Sequence, residues 1–513
     1  MNRYSISTLL VIMLSACGGG GSGDSSSSTT SPLPVPAAPT AITVKAVYKD
    51  ACGNETNATD AALLIHNNDY SNKAIVSANN NGEMTYESDN TTETISIVIR
   101  GKDEVDGVKP INLTTYIEHP IIDMGTIFLR NDDQSQCSCQ TYNLYVNTPA
   151  RPLDRGQPEI SGINKVNNTY SYQGYAEFNG VEQCTQNDQQ LPLITSQITY
   201  DDPDEAFAAI IPNALNLPFD ERLNGYTVDA LIEGTPVDII SDNQGRLVSA
   251  FIGSRYYLYN DSFNNEPDNV YSFASEQIDF YDVSSFTVDF IDIPDVDSSY
   301  THTATYMATT NTQQTFDLPR VDIDYTKLLD ILVSESGNYS IASYSAFDFI
   351  TVSVVGSNDQ ADVIDWTIYG PTSGQVPKIE NLDLTSFISD DDLNLRAESL
   401  FLRVSAVGFD GITDYNDYLR SKVNKTLEDN IQVKWANENT ASFNIFTSGE
   451  NLTSATSAIP TKALFQNAKL SMATEAKAKS SVPENSNHVT KDTKIEKQRR
   501  AIALINRERD ILR

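Results

Sequence analysis

The amino-acid sequence predicts a mainly β protein built of several β-sandwich domains in series, followed by a C-terminal tail that is disordered to helical. Three observations predict this class. Apolar and polar residues alternate over short segments throughout residues 41–447, as in strands with one buried face. Clusters of Asp, Asn, Gly and Pro, which form turns, separate these segments. Long stretches with helical periodicity are absent from this part of the sequence.

Residues 1–16 have the pattern of a signal peptide. Arg3 gives a basic start, and the apolar segment from Leu9 to Leu14 is shorter than the roughly 20 residues that a lasting membrane-spanning helix needs. The following Leu14-Ser15-Ala16-Cys17 resembles the lipobox of bacterial lipoproteins, whose cysteine receives a diacylglycerol before cleavage. The resemblance implies that lipidated Cys17 anchors the chain in a membrane. The alternative is a plain secretory signal with a chance cysteine.

The residues after the cysteine predict the location of the anchor and a stalk next to it. Residue 18 is Gly rather than Asp, so the sorting rule of lipoproteins implies the outer membrane of a Gram-negative cell, on its periplasmic or its cell-surface face. Residues 17–40 are rich in Gly, Ser and Thr and then in Pro. Because this composition cannot bury a core, it predicts a stalk that holds the folded body away from the lipid.

The charge of the chain is strongly negative and unevenly distributed. The formal net charge is −34, yet residues 461–513 hold 12 basic and 6 acidic residues. Without that segment and Arg3, residues 17–460 hold 63 acidic and 22 basic residues, a balance of −41. Such a surface repels phosphate-rich polymers, which argues against nucleic acid as a partner of the body.

The length of 513 residues is enough for about three domains of roughly 150 residues each. Turn clusters and composition shifts divide the chain after the stalk into five regions. They are a small β-sandwich at 41–115, a cysteine-containing β region at 116–200, a β domain at 201–330, a β-sandwich at 331–447, and a basic disordered tail with a terminal helix at 448–513.

Four cysteines remain after lipidation of Cys17, and they are Cys52, Cys137, Cys139 and Cys184. In an oxidising compartment four cysteines indicate two disulfides, with three open pairings. A bond between Cys137 and Cys139 would close a very tight ring, which favours pairing one of these two with Cys52 and the other with Cys184. Zinc is the competing interpretation, but the spacing lacks paired Cys-x2-Cys units.

The order of strands and turns in residues 41–100 resembles the carboxypeptidase regulatory-like, prealbumin-type β-sandwich of many surface proteins. The matching positions are Asp50 and Gly53 in one turn, Asn81 and Gly82 in a second turn, and Tyr86 in the strand after it. The resemblance implies an Ig-like or prealbumin-like sandwich with a structural, spacing or binding role. It does not imply peptidase activity.

Recognisable catalytic motifs are absent from the sequence. It has no H-E-x-x-H, no G-x-S-x-G elbow, no P-loop and no dinucleotide fingerprint. The four histidines, His66, His119, His302 and His488, are scattered and are interpreted as residues without a catalytic role. A polysaccharide hydrolase needs only two carboxylates about 5 to 10 Å apart, so the abundant Asp and Glu residues leave that alternative open. The balance favours a protein that is not an enzyme.

Acidic clusters are the candidate metal sites, because calcium takes about six to eight oxygen ligands and loops between strands can supply them. The candidates are Asp289, Asp292, Asp295 and Asp297, the run Asp390 to Asp392, and the set Asp410, Asp414, Asn416 and Asp417. None has the ligand order of an EF-hand. The alternative is a solvated acidic surface, and no other cofactor is predicted.

Two kinds of residue are candidates for binding a partner. Tyrosines, 25 in all, form local groups at 170, 172 and 175 and at 256, 257 and 259. Exposed tyrosines on a sandwich face stack on sugar rings, although tyrosine is also simply a good strand residue. In the basic tail, the candidates for contact with anionic lipid, lipopolysaccharide phosphate or an acidic partner are Arg499, Arg500, Arg507 and Arg509. The alternative for the tail is a solvated disordered end.

Three functions are compatible with these features. The first is non-catalytic recognition of a protein or glycan, or structural work, by a lipid-anchored body in the cell envelope. The second is a surface polysaccharide hydrolase whose carboxylate pair cannot be placed from sequence. The third is an envelope assembly partner that acts through the C-terminal basic helix.

Overall fold

The computed structural model describes residues 41–446 apart from residue 51, residue 173, residue 383 and several segments. These segments are 101–110, 131–133, 149–157, 187–192, 200–205, 253–254, 263–269, 294–295, 309–314, 334–335, 358–362, 378–381, 385–400 and 430–436. The predicted signal peptide, stalk and basic tail lie outside the described residues.

Strands make up most of the described chain. The first thirteen are β1 (Ala41–Lys49), β2 (Glu55–Asn57), β3 (Ala62–His66), β4 (Asn72–Ser77), β5 (Glu83–Glu87), β6 (Thr92–Arg100), β7 (Ile111–Pro120), β8 (Asp123–Arg130), β9 (Ser138–Asn147), β10 (Pro158–Ser161), β11 (Asn168–Tyr172), β12 (Tyr175–Thr185) and β13 (Ile194–Thr199). The next ten are β14 (Ala206–Ile211), β15 (Phe219–Asp220), β16 (Gly225–Val228), β17 (Ile232–Ile240), β18 (Gly245–Ile252), β19 (Arg255–Ser262), β20 (Val270–Phe273), β21 (Phe280–Ile293), β22 (Val296–Ala308) and β23 (Thr315–Asp317). The last six are β24 (Asn338–Ser340), β25 (Phe349–Ser357), β26 (Val363–Pro371), β27 (Ser373–Gln375), β28 (Phe401–Phe409) and β29 (Asn437–Phe446).

These strands form five sheets within the described residues, and the predicted class, mainly β with several packed sheets, is confirmed. A twelve-stranded sheet, here called the long sheet, has the order β19-β18-β21-β22-β29-β28-β25-β26-β7-β6-β3-β4. A five-stranded sheet, here called the tyrosine sheet, has the order β11-β12-β9-β16-β15. The others are β2-β1-β5 with β8 beside β1, β10-β13-β14-β17-β20 with β23 beside β17, and β24-β27.

The long sheet joins strands from the first, third and fourth of the β ranges that the sequence divides into separate domains, and its β7 crosses the boundary between the first and second. Its β3, β4, β6 and β7 come from the first 120 residues, whereas β26, which pairs in parallel with β7, lies more than 240 residues later in the chain. Alternation along one strand indicates which residues share a face, but it does not indicate the strand's partner. The division by composition therefore could not reveal this sheet.

Both faces of the long sheet are covered at β3, and neighbouring residues of this strand enter different cores. Leu63 and Ile65 of β3 pack in a core with residues of β1, whereas Leu64 between them packs in the core on the opposite face. Side chains of a strand alternate between faces, so a strand covered on both sides is apolar at every position. This arrangement explains the continuous apolar run from Ala62 to Ile65.

Two helices that the sequence pattern does not predict cover these cores. Helix α1 (Tyr325–Val333) contributes Leu328 and Leu329 to the same core as Leu64. Helix α2 (Tyr415–Asp429) contributes Tyr418 to the opposite core. In the described part of the chain no helix has the length and apolarity needed to span a membrane.

The two turns that carry the prealbumin-type resemblance are tight turns in the structure. The Gly53 N–H donates to the carbonyl of Asp50 at 3.0 Å, and the Gly82 N–H donates to the carbonyl of Asn79 at 2.9 Å. Both glycines have positive φ, +86° at Gly53 and +76° at Gly82. A Cβ atom on Gly82 would also lie only 2.4 Å from the carbonyl oxygen of Ala46.

We expect Gly82→Ala to lower the free energy of unfolding by about 3 kcal/mol. An alanine at positive φ costs about 1 to 2 kcal/mol, and the collision with β1 adds a cost of similar size. The matched control is Gly174→Ala, because Gly174 has φ +94° and no atom within 4 Å of its Cβ position. Urea unfolding of both variants measures the difference, and equal losses would show that the contact with Ala46 contributes nothing.

Candidate functional site

The hairpin of β11 and β12 and the adjacent β9 place four tyrosines on one face of the tyrosine sheet. Tyr172 lies opposite Tyr175, and Glu177 lies opposite Tyr170 on one side and Tyr145 on the other. Residues directly opposite each other in antiparallel strands project from the same face. Leu144, Val146, Ala176 and Phe178 alternate with them and are buried in the core below.

The four rings are in a continuous row across three strands, and this surface is here called the tyrosine face. The Tyr172 and Tyr175 ring centroids lie 4.9 Å apart and the rings are stacked, with Tyr170 at 6.2 Å from Tyr172 and Tyr145 at 6.2 Å from Tyr175. Tyr170 and Tyr172 on the edge strand are 45% and 42% exposed, whereas Tyr145 is buried. The row thus runs from the exposed Tyr170 on the edge strand to the buried Tyr145, which is here called its inner end.

Polar groups surround the inner end of this row. Glu177 accepts hydrogen bonds from the Asn179 amide at 2.7 Å and from the Tyr145 hydroxyl at 3.4 Å, and that hydroxyl also lies 3.0 Å from the carbonyl oxygen of Leu223. Burial, followed by the charge of Glu177, raises the pKa of both Tyr145 and Tyr172. The phenols therefore keep their protons at neutral pH and act as hydrogen-bond donors and acceptors.

The arrangement combines two features of a sugar-binding surface. Aromatic rings supply flat apolar contact area at small entropic cost, and phenol, amide and carboxylate groups beside them pair with hydroxyls. The predicted local group of Tyr170, Tyr172 and Tyr175 is thus brought together. Local sequence does not indicate Tyr145 and Glu177 as part of this group. Tyr145 belongs to a strand that precedes the hairpin by more than 20 residues, and only the pairing of β9 with β12 brings it next to Glu177. The second predicted tyrosine group lies on β19, and its side chains are outside the described structure.

Two disulfides hold this region together, and they form one of the two pairings that the sequence favours. Cys52 bonds to Cys137, and Cys139 bonds to Cys184. Cys139 and Cys184 are directly opposite each other on β9 and β12, the two strands that bear Tyr145 and Tyr175. Cys17 lies outside the described residues.

One cluster of side chains with the spacing of metal ligands lies at the first disulfide, and the disulfide bond itself accounts for this spacing. Asp50, Cys52 and Cys137 have side-chain ligand atoms within 4.8 Å of one another. Both sulfurs are consumed by the disulfide, and the Asp50 carboxylate accepts hydrogen bonds from the backbone N–H groups of Cys52 and Asn54. This is the only such group among the described His, Cys, Asp and Glu residues.

The predicted calcium ligands on the β21–β22 hairpin do not share one environment in the structure. Asp289 lies 3.5 Å from Arg320 in an ion pair. Asp292 and Asp297 are opposite each other near the end of the hairpin, and Asp295 lies outside the described residues. The run Asp390 to Asp392 lies outside them as well.

The second predicted set marks the start of a helix. Asp414 immediately precedes α2 and its carboxylate accepts the N–H of Asp417 at 2.9 Å, while the Asp417 carboxylate accepts the N–H of Thr413 at 3.1 Å. These are the hydrogen bonds of a helix N-cap. Asn416 lies in the first turn of α2, and Asp410 precedes the turn before it. Calcium at this set stays a prediction.

Three histidines are buried in polar networks of the cores. His66 lies 2.7 Å from the Ser96 hydroxyl and donates from Nδ1 to the carbonyl of Tyr70 at 3.1 Å. His302 accepts the N–H of Val321 at 3.2 Å. The His66–Ser96 distance is that of a nucleophile and its base, yet both residues are inaccessible to a substrate, with exposures of 4% and 0%. His488 and the four candidate arginines, Arg499, Arg500, Arg507 and Arg509, lie outside the described residues.

No protein-family model matches this chain, and no curated protein matches it significantly.

Proposed function

We propose that this chain is a lipid-anchored protein of the bacterial outer membrane whose body binds neutral glycans through the tyrosine face, without catalysis. The lipobox at Leu14 to Cys17 and the stalk support the anchoring. One observation carries the glycan part, namely the row of Tyr145, Tyr170, Tyr172 and Tyr175 with the Glu177 carboxylate beside it.

The charge of the body favours a neutral polymer. Residues 17–460 have a balance of −41, and a polymer that carries many carboxylates or phosphates would be repelled. Neutral sugar rings offer CH faces to the exposed Tyr170 and Tyr172 and hydroxyls to Glu177 and Asn179. Binding by stacking needs no charge on the ligand.

The face is also preorganised. Tyr145 is packed in place and hydrogen-bonded, and the Cys139–Cys184 disulfide joins β9 and β12, the two strands that bear Tyr145 and Tyr175. A surface that is already ordered loses less entropy when a ligand binds. This favours recognition over a row of strand tyrosines without a binding role.

We expect the purified full chain, in detergent, to be retarded in native gels that contain hydroxyethylcellulose, lichenan or glycol chitin. Truncating an exposed stacking residue typically costs about 1 to 2 kcal/mol, which is about a 5- to 30-fold loss of affinity. We therefore expect Tyr172→Ala to weaken the retardation and the double variant Tyr170→Ala/Tyr172→Ala to abolish it.

The matched control is Phe290→Ala, which removes an aromatic residue of nearly the same exposure, 41%, from the long sheet. This variant should be retarded like the wild type. If none of the three polysaccharides retards the wild type, or if the double variant is retarded equally, the tyrosine face does not bind glycan.

A further inference from the structure

A separate cleft of about 370 Å³ lies between the long sheet, β8 and α2. Its volume is within the range of about 300 to 1,000 Å³ that is usual for small-molecule sites. β7 and β26 form the floor, Met124, Ile127 and Phe128 of β8 form an apolar wall, and Leu419 and Lys422 come from α2. None of these elements belongs to the tyrosine sheet.

Polar side chains form two cross-strand pairs on the floor of this cleft, and each pair is here called a rung. β7 and β26 are parallel, and their register places Asn112 opposite Asp365 and Thr114 opposite Thr367. All four residues line the cleft. Amide, hydroxyl and carboxylate groups in such a row offer both donors and acceptors to a ligand that carries hydroxyls.

A lysine lies beside Tyr369, at the end of this row away from the Asn112–Asp365 pair. The Lys422 ammonium lies 5.1 Å from the ring centroid of Tyr369 and 5.8 Å from that of Tyr418. Tyr369 follows Asp365 by four residues on the same strand face, which corresponds to roughly 13 Å along the strand. Among the described residues that line the cleft, Lys422 is the only Lys or Arg, and burial lowers its pKa to about 8.

We propose that this cleft binds an acidic sugar, with the ligand's carboxylate at Lys422 and its hydroxyls along the Thr114–Thr367 rung toward Asp365. A desolvated ammonium interacts more strongly with an anion than a hydrated one does. The distance between Asp365 and Tyr369 suits a ligand of about two sugar units with its charge at one end. The proposal does not depend on the tyrosine face.

The negative charge of the body is compatible with this ligand. At physiological ionic strength charges interact mainly within about 8 Å, so one carboxylate responds chiefly to the groups of the cleft. A polymer with many charges cannot avoid the rest of the surface. The cleft and the tyrosine face therefore select ligands of different charge.

The test uses lactobionate and lactitol, which share one skeleton and differ in a carboxylate against a CH2OH group. Calorimetric titration of the full chain at about pH 7 should give binding of lactobionate in the millimolar range or tighter and weaker binding of lactitol. Lys422→Met should weaken lactobionate at least tenfold and leave lactitol unchanged. Lys327→Met, the same substitution at an exposed lysine of α1, is the control and should change neither.

Two further variants separate binding from a structural role. Lys422→Arg should retain the preference for lactobionate, because the positive charge remains. Asp365→Asn should weaken both ligands, because this carboxylate accepts hydrogen bonds from hydroxyls that both share.

The pH dependence gives an independent measurement. Burial raises the pKa of the tyrosines that face Lys422 and lowers that of His119 to about 4, so none of these changes charge between about pH 7 and about pH 9.5. These groups are Tyr116 and His119 on β7, Tyr369 on β26 and Tyr418 on α2. Apart from Lys422, the other titratable residue of the cleft lining is Asp365 on β26, and the residues of β8 that line the cleft do not titrate. Lys422, whose pKa is about 8, is the group that loses its positive charge in this range. Lactobionate should therefore bind at least about tenfold more weakly at the higher pH, whereas lactitol should not change. The proposal is wrong if both ligands bind alike, if neither binds at millimolar concentration, or if Lys422→Met keeps the preference.

Discussion

Removal of the disulfide between Cys52 and Cys137 is expected to lower the free energy of unfolding by about 4 to 5 kcal/mol, because the bond closes a loop between residues 85 apart in sequence. The bond between Cys139 and Cys184 spans 45 residues, and its loss is expected to cost about 4 kcal/mol. The measurement is urea unfolding of the two double Cys→Ala variants. A change below about 1 kcal/mol in either variant would contradict the expectation.

The two bonds should differ in their effect on binding. Cys139 and Cys184 join the strands that carry Tyr145 and Tyr175, whereas Cys52 lies outside the tyrosine sheet. Loss of the Cys139–Cys184 bond should weaken polysaccharide retardation under conditions in which the variant is still folded. Loss of the other bond should leave retardation unchanged, which makes the two variants controls for each other.

Acidification from about pH 7 to about pH 4.5 is expected to destabilise the fold strongly, because three histidines are buried as neutral groups. Burial lowers the pKa of His66, His119 and His302 to about 4. In the unfolded chain a histidine has a pKa of about 6.5, so between these values the unfolded chain binds protons that the folded chain does not. Stability is complete above about pH 6.5 and is lost down to about pH 4, by up to about 3 kcal/mol for each histidine.

Urea unfolding at a series of pH values measures this effect. Between about pH 6 and pH 4.5 each buried histidine should contribute a slope of about 1.4 kcal/mol per pH unit. Asp348, whose pKa burial raises, acts in the opposite sense. His302→Gln should reduce this slope by the contribution of one histidine, about 1.4 kcal/mol per pH unit. An equal urea midpoint at pH 7 and pH 5 would mean that these histidines are not buried in their neutral form.

Local patterns in the sequence were sufficient for features that depend on local geometry. Alternation predicted the strand at Ile95, Ile97 and Ile99. Ring size argued against a Cys137–Cys139 bond and left two pairings, one of which the structure has. The spacing of Tyr170 and Tyr172 also indicated one shared face, because residues two apart in a strand project on the same side.

Non-local pairing could not be predicted in this way. The parallel pairing of β7 with β26, which forms the floor of the cleft, depends on which apolar faces pack best among many strands of similar pattern. Tyr145 and Lys422 were missed for this reason. Helix α2 does have a signal in the sequence, because Asp414 followed three residues later by Asp417 is an N-cap pattern. The same acidic residues also suit a calcium ligand set, so the pattern by itself does not decide between the two.

Hydroxyl-radical footprinting of the full chain, with and without the polysaccharide that retards it most, tests the central claim most directly. Tyr170 and Tyr172 are exposed when the chain is free, and Phe290 on another sheet is exposed to a similar degree. If the tyrosine face binds glycan, oxidation of Tyr170 and Tyr172 will fall severalfold in the complex while oxidation of Phe290 stays the same. Unchanged oxidation of both tyrosines in a complex that has formed would contradict the account.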